Sequence, residues 1–241
     1  MATSFSPTRP DVERYRRLRA VGIDLSHKIV TTIPRQAFEE VANAIGVLRN
    51  GVLVLDSEDM TGVLADCCLY DWFENGKNLI QRYAETHPAA PGTDEGYVLN
   101  AYTQAKYRIV AVQSAVPDAG IHCLDVQSRE ELFVMDLGLS RTLRSAGAGL
   151  ATRTIPLGEY WMTGGAGLPL HSNEAIQCAF RQIESQEPEP LDGVCGVAPV
   201  LVRACLASGV ADHVAYETIE AQSRKPRIEP RFQFKRRRGR S

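Results

Sequence analysis

Hydrophobic positions along this chain first change period near residue 107. Before that point apolar residues recur at three- and four-residue spacing, the mark of helices with one buried face. Val12, Tyr15 and Leu18 put such a stripe on the charged segment 11–20, and Gly22 and residues 31–34 punctuate the chain after it. Pro34 suits the first turn of a helix, because its missing N–H has no partner to lose there. Phe38, Val41, Ala42 and Ile45 continue that helix at i, i+3, i+4, i+7, and Gly46 and Asn50-Gly51 end it. Asp56, Ser57, Glu58 and Asp59 place a capping side chain and acids where the next helix's dipole favours them. Met60, Val63, Leu64, Cys67 and Tyr70 form its inner face, and Asn75-Gly76 is a stop signal. Leu79, Ile80 and Tyr83 predict a third helix, ended by His87-Pro88. Residues 94–106 predict a fourth, with Tyr97, Val98, Ala101, Tyr102 and Ala105 on one side.

From residue 107 the runs become short and β-branched: 107–112, 121–126, 132–135, 150–155 and 160–163, with turns at 117–120, 127–130 and 156–158. Five short strands joined this way predict a meander that closes as a small five-stranded antiparallel barrel or curls strongly. Helical spacing then returns. Ser172 can cap a helix carrying Ile176, Ala179, Phe180 and Ile183, and residues 186–193 read as an acidic, proline-rich linker. Val197, Val200, Leu201, Ala204 and Cys205 form another stripe that stops at Gly209, and 211–221 reads as a last helix. The expected class is therefore α+β. Its parts are a flexible arm (1–10), a helical region (11–106), a small β-barrel-like region (107–165), C-terminal helices (166–223) and a disordered basic tail (224–241).

Composition adds bounds. Of 241 residues 44% are apolar and 23% charged, an ordinary balance for a chain with a real core. No apolar run approaches the roughly 20 residues of a membrane helix, and the polar N-terminus shows no secretory leader. Six cysteines form no CxxC pair, which fits reduced, buried thiols. The expectation is a cytoplasmic protein with no membrane partner.

Charge changes the picture more. The net charge of −2 hides a division. Residues 224–241 carry nine Lys/Arg against Glu229 alone, a net of +8. The preceding 223 residues carry 18 basic and 28 acidic side chains, a net of −10. In the tail, Arg231, Phe232, Phe234, Lys235, Arg236, Arg237, Arg238 and Arg240 cluster cations beside two aromatic rings. Such a segment can condense onto phosphates and release counterions. It can equally dock on an acidic protein surface, its own body included, or serve only to keep the chain soluble.

Catalytic signatures are missing: there is no GxGxxG, Walker A loop, GxSxG or HExxH. Gly164, Gly165 and Gly167 lack a following Lys-Ser/Thr, and Pro169 sits where a phosphate-binding helix would begin. His122 and Cys123 alternate across a strand and cannot share one pocket, and Cys67 lies on an apolar stripe. No cofactor or metal is expected, and the catalytic residues, if any, are unknown. Among Asp56, Glu58, Asp59, Asp66, Asp71 and Glu74, the trio Asp59, Asp66 and Asp71 falls near one helical face. A paired-acid site is possible there, beside the alternative of a solvated acidic face. Arg108, Arg129, Arg141, Arg144 and Arg153 interleave with Tyr107, Phe133, Tyr160 and Trp161, as in small barrels that stack single-stranded nucleic acid. The same aromatics can instead fill the barrel.

Arg153, Pro156, Leu157, Tyr160, Trp161, Met162 and Gly165 close a strand meander that follows a Tyr-rich helix. Over residues 94–170 this resembles a region of uncharacterised bacterial proteins. Many of those carry a C-terminal SEC-C zinc motif of the CPCGSGKKYKKC kind, which this chain lacks. The resemblance implies the fold and no particular activity. The functional expectation is a non-catalytic binding or adaptor protein whose tail contacts nucleic acid. The alternatives are a hydrolase or transferase using carboxylates of the 56–74 helix, and a structural protein whose tail grips an acidic partner.

Overall fold

The computed structural model describes residues 5–49, 52–53, 58–142, 148–164, 167–170 and 192–207. Among them are seven helices: α1 (Arg9–Val30), α2 (Arg35–Ile45), α3 (Glu58–Asp71), α4 (Leu79–Thr86), α5 (Asp94–Thr103), α6 (Leu137–Thr142) and α7 (Val197–Ala207). The segments 171–191 and 208–241, with the helices expected there, lie outside the described residues.

Local chemistry accounts for several helix ends. Thr8 and Asp11 form a reciprocal capping box at the start of α1, and Asn78 with Gln81 does the same for α4, so orphan N–H groups are satisfied at both. Gly46 ends α2 in the left-handed conformation, φ 84°, where glycine carries no Cβ penalty. Gly22 does not break α1, contrary to expectation. It lies buried mid-helix, and the Tyr102 hydroxyl donates to its carbonyl at 2.8 Å. A Cβ at this position would sit 2.7 Å from that hydroxyl oxygen, so the glycine is what lets α5 approach α1. Asn75-Gly76, expected to stop a helix, instead turns a hairpin. Both residues have positive φ, as a tight two-residue β-turn requires, and they join β3 (Trp72–Glu74) to β4 (Lys77–Asn78). A second hairpin pairs β1 (Leu48–Arg49) with β2 (Val52–Leu53).

The β region is a closed barrel. Its strands are β5 (Lys106–Val116), β6 (Gly120–Asp125), β7 (Glu131–Met135), β8 (Gly149–Pro156) and β9 (Trp161–Thr163), with β10 (Leu168–Leu170) added on the edge of β8. β9 pairs with both β8 and β7 and so closes the ring. The expected all-antiparallel barrel is corrected at one seam, where β7 and β9 run parallel. The reason is parity: strand direction cannot alternate all the way round a ring of five. The short β11 (Gly193–Val194) adds to β3.

Alternation divides the barrel's side chains into two cores. Val110, Val112, Ile121, Cys123, Leu132, Val134 and Leu150 point inward with Leu139 of α6 and make one buried cluster. Ile109, Phe133, Met135, Ala151, Ile155 and Met162 point outward and join the larger core built with the helices, which includes Leu18, Leu64 and Ile80. Phe5, ahead of α1, packs on Phe133 with ring centroids 5.2 Å apart. No helix among the described residues is long and apolar enough to cross a membrane.

Candidate functional site

The seam between α3 and the outer face of β8 holds the densest chemistry. Arg153 projects outward there and is only 3% exposed. Tyr107 is its direct cross-strand neighbour, so the guanidinium lies 5.1 Å from that ring's centroid, and it lies 4.3 Å from the Tyr70 ring. Asp66 Oδ2 accepts from Arg153 Nε at 3.0 Å and from Nη2 at 2.8 Å. Asp71 Oδ2 also accepts from Nη2. Asp66 and Tyr70 are four residues apart and share a helical face. Asp71 is the final residue of α3, which lets it reach round to the same cation.

Two glycines make room. A Cβ on Gly164 would lie 2.9 Å from Arg153 Cβ and 3.3 Å from Asp66 Oδ1. Gly196, with φ +93°, would place one 2.7 Å from Asp71 Oδ1. The backbone completes the clamp: Gly164 N donates to Arg153 O, and Cys195 N donates to Asp71 O, each at 2.8 Å.

Ligand atoms of Asp66, Cys67 and Asp71 lie within 4.8 Å of one another, a spacing that could hold a metal ion. Arg153 already supplies a cation to both carboxylates. Burial, reinforced by the charges of Asp71 and Asp66, pushes the Cys67 thiol well up, whereas a metal ligand must be a thiolate. The arrangement therefore works as a buried ion cluster that ties α3 to β8. Neither aspartate can act as a base or ligand through its Oδ2 without first releasing Arg153.

A second buried arginine sits inside the barrel. Arg108 Nη1 donates to Asp125 Oδ2 at 2.5 Å and to Glu130 Oε2 at 2.9 Å, and the guanidinium lies 4.7 Å from the Trp161 ring. Asp125 Oδ1 also accepts from the backbone N–H groups of Gln127 (2.9 Å) and Ser128 (3.2 Å). Burial would raise the Asp125 carboxyl, but the Arg108 bond and those backbone donors outweigh it and hold the pKa below its ordinary value.

A third arginine joins helix to barrel. Arg14 Nη1 donates to Leu157 O at 3.1 Å and to the Tyr160 hydroxyl at 3.2 Å. Its guanidinium lies 4.9 Å from the Tyr97 ring, on the wall of a surface cleft of about 460 Å³ with Thr93, Gly96 and Asn100.

The structure regroups the residues singled out by sequence. Asp66 and Asp71 are brought together, but on a buried arginine rather than on a solvated face or in an open cleft. Glu74 is elsewhere, paired with Arg82. Asp56, and the side chains of Glu58 and Asp59, lie outside the described residues. Among the described residues the barrel arginines form no common stacking surface: Arg108 and Arg153 are buried on carboxylates, and Arg141 pairs with Asp118. Arg129 is exposed in the β6–β7 turn, and Arg144 lies outside the described residues. Phe133 and Tyr160 are buried, while Tyr107 and Trp161 face their arginines. His122 meets the Phe133 ring on the outer face, and Cys123 packs inside the barrel. The tail residues Arg231, Phe232, Phe234, Lys235, Arg236, Arg237, Arg238 and Arg240 lie outside the described residues.

Sequence reasoning missed the partnership of Asp66 and Asp71 with Arg153. One signal was present, because both acids sit in the run Leu64-Ala-Asp-Cys-Cys-Leu-Tyr-Asp-Trp72. A carboxylate inside so apolar a stretch must be buried with a partner.

No curated protein and no solved structure matches the chain. One family model does match, over residues 9–184, and no SEC-C motif accompanies it. That span covers more than half of the chain and includes Asp66, Asp71, Arg108 and Arg153. The chain thus belongs to the family of unknown function DUF7986.

Proposed function

We propose that this is a non-catalytic binding protein of the cytoplasm whose C-terminal segment 224–241 contacts nucleic acid. The observation that carries the reading is the division of charge, +8 on that segment against −10 on the rest. A segment so charged gains from displacing counterions on a phosphate backbone. The body supports the reading from the other side. Its best candidate catalytic acids, Asp66 and Asp71, are engaged by Arg153 and hold a helix to a strand. Cys67, Cys68 and Cys123 are free and buried, which suits a reducing compartment.

The test is retention of the intact chain and of a 1–223 truncation on single- and double-stranded nucleic acid across a salt series. With 6 to 10 phosphate contacts, affinity should fall about 10³- to 10⁵-fold between 50 and 200 mM salt, and the truncation should abolish binding. Equal binding by the truncated chain, or none by the intact one, defeats the proposal. Tail-dependent co-purification of an acidic protein without nucleic acid would favour docking on a protein surface. The convergence of Asp66 and Asp71 keeps a second reading, a carboxylate-dependent hydrolase or transferase. It requires a state in which Arg153 lets one of them go.

A further inference from the structure

We infer that the barrel binds one internal water molecule between Arg108 Nε and Thr152 Oγ1. The two residues are direct cross-strand partners on β5 and β8 and point to the same, inner side of the barrel. Thr152 is fully buried and Arg108 is 7% exposed. Both atoms are buried and find no hydrogen-bond partner among the described residues. Two buried orphans on paired positions of the barrel's inner side call for a hydrogen-bonding ligand by the ordinary accounting of buried polar groups.

The chemistry of the walls selects the occupant. Arg108 Nε offers only N–H, so the occupant must accept a hydrogen bond, while the Thr152 hydroxyl can donate or accept. An anion is disfavoured because the same guanidinium already holds Asp125 and Glu130. Neighbouring polar groups do not compete. Thr154 Oγ1 donates to Lys106 O at 3.1 Å, and Thr163 Oγ1 donates to Asp136 Oδ2 at 2.5 Å. Towards its other end the barrel is filled by Val112, Cys123, Leu132 and Val134, and a ring of this size leaves little internal space. A small, neutral molecule that both donates and accepts is water, and buried waters occupy polar niches of this kind.

Two measurements on the full chain test this. In ¹⁵N-edited, water-selective cross-relaxation spectra, Arg108 Hε should show a peak to water. Arg153 Hε should not, since its Nε donates to Asp66 at 3.0 Å. In ¹⁷O relaxation dispersion, Thr152→Val should lower the count of long-lived waters by one, and Thr152→Ser should keep it. An Arg108 Hε without a water peak overturns the inference, and so does an unchanged count in Thr152→Val. If the valine variant fails to fold, the contrast between Arg108 and Arg153 in the unaltered protein still decides the matter.

Discussion

Replacing Arg153 with methionine removes one charge and exposes the logic of the α3–β8 seam. Met approximates the length of the arginine stem but cannot donate a hydrogen bond. The Asp66 and Asp71 side chains, 7% and 8% exposed, would then face each other in the core as uncompensated acids. Breaking a buried pair by removing one partner costs about 3–5 kcal/mol, because the charge left behind stays desolvated. For a chain of this size that corresponds to a fall in Tm of roughly 6–20 °C. Thermal melts followed by circular dichroism, with urea titrations for ΔG, read the effect. Arg153→Lys should fall between wild type and Met. An ammonium is a point charge that cannot reach both carboxylates in one plane or lie flat between the Tyr70 and Tyr107 rings. The triple change Asp66→Leu, Asp71→Leu, Arg153→Met should be more stable than Arg153→Met alone, since an apolar replacement of the whole cluster leaves no charge stranded. A loss below about 1 kcal/mol in Arg153→Met would refute the reasoning, for that is the worth of a solvated ion pair.

Gly120→Ala should cost about 1–3 kcal/mol, at the upper end of that range, because its Cβ would lie 2.2 Å from Val134 O and 2.8 Å from Met135 Cα, and backbone cannot step aside. A Tm equal to wild type would show that β6 and β7 are not held this close. In acid, the Asp125 carboxyl has a folded pKa below its ordinary value of 3.8. Its stabilisation is therefore full above that value and is lost as pH falls through the lower, folded one. Urea midpoints between pH 6 and 2 should drop less steeply below pH 4 in Asp125→Asn than in wild type, and parallel curves would contradict the assignment. Burial pushes the Cys68 and Cys123 thiols up to about 12 and Cys205 up to about 11, with Cys67 raised as well. At pH 8 about one in a thousand or fewer of these thiols is ionised. Mass spectrometry after brief alkylation should find these four unmodified in the native protein and modified in urea. Rapid native labelling would mean that the core around the labelled thiol opens, the barrel interior for Cys123 and the helical core for the other three.

The lesson about legibility is specific to the kind of interaction. Period and punctuation determined many of the elements, though not α6 or the hairpins β1–β2 and β3–β4. Apolar spacing located the α2, α4 and α5 helices, and alternating β-branched runs located all five barrel strands within a few residues. These are short-range signals, because a side chain's face is set by its distance to neighbours in sequence. Local pattern was ambiguous where one residue type serves two purposes. Gly22 marks close packing against Tyr102 rather than a break, and Asn75-Gly76 turns a hairpin rather than ending a helix. The sequence also determined the division of charge by itself, since a count of residues needs no fold.

Tertiary structure alone decided which charges meet. Arg153 is 87 residues from Asp66 and 82 from Asp71, and nothing periodic links positions so far apart. The pleat of β8 turns Arg153 out towards α3 and Thr152 into the barrel, so adjacent residues enter different cores. Closure of five strands fixed the parallel seam between β7 and β9, a constraint that belongs to the ring and to no single strand. Two of the arginines that the sequence offered as a binding surface, Arg108 and Arg153, became internal counter-ions for the same reason. Their partners are chosen by the register and packing of strands and helices, which exist only once the chain has folded.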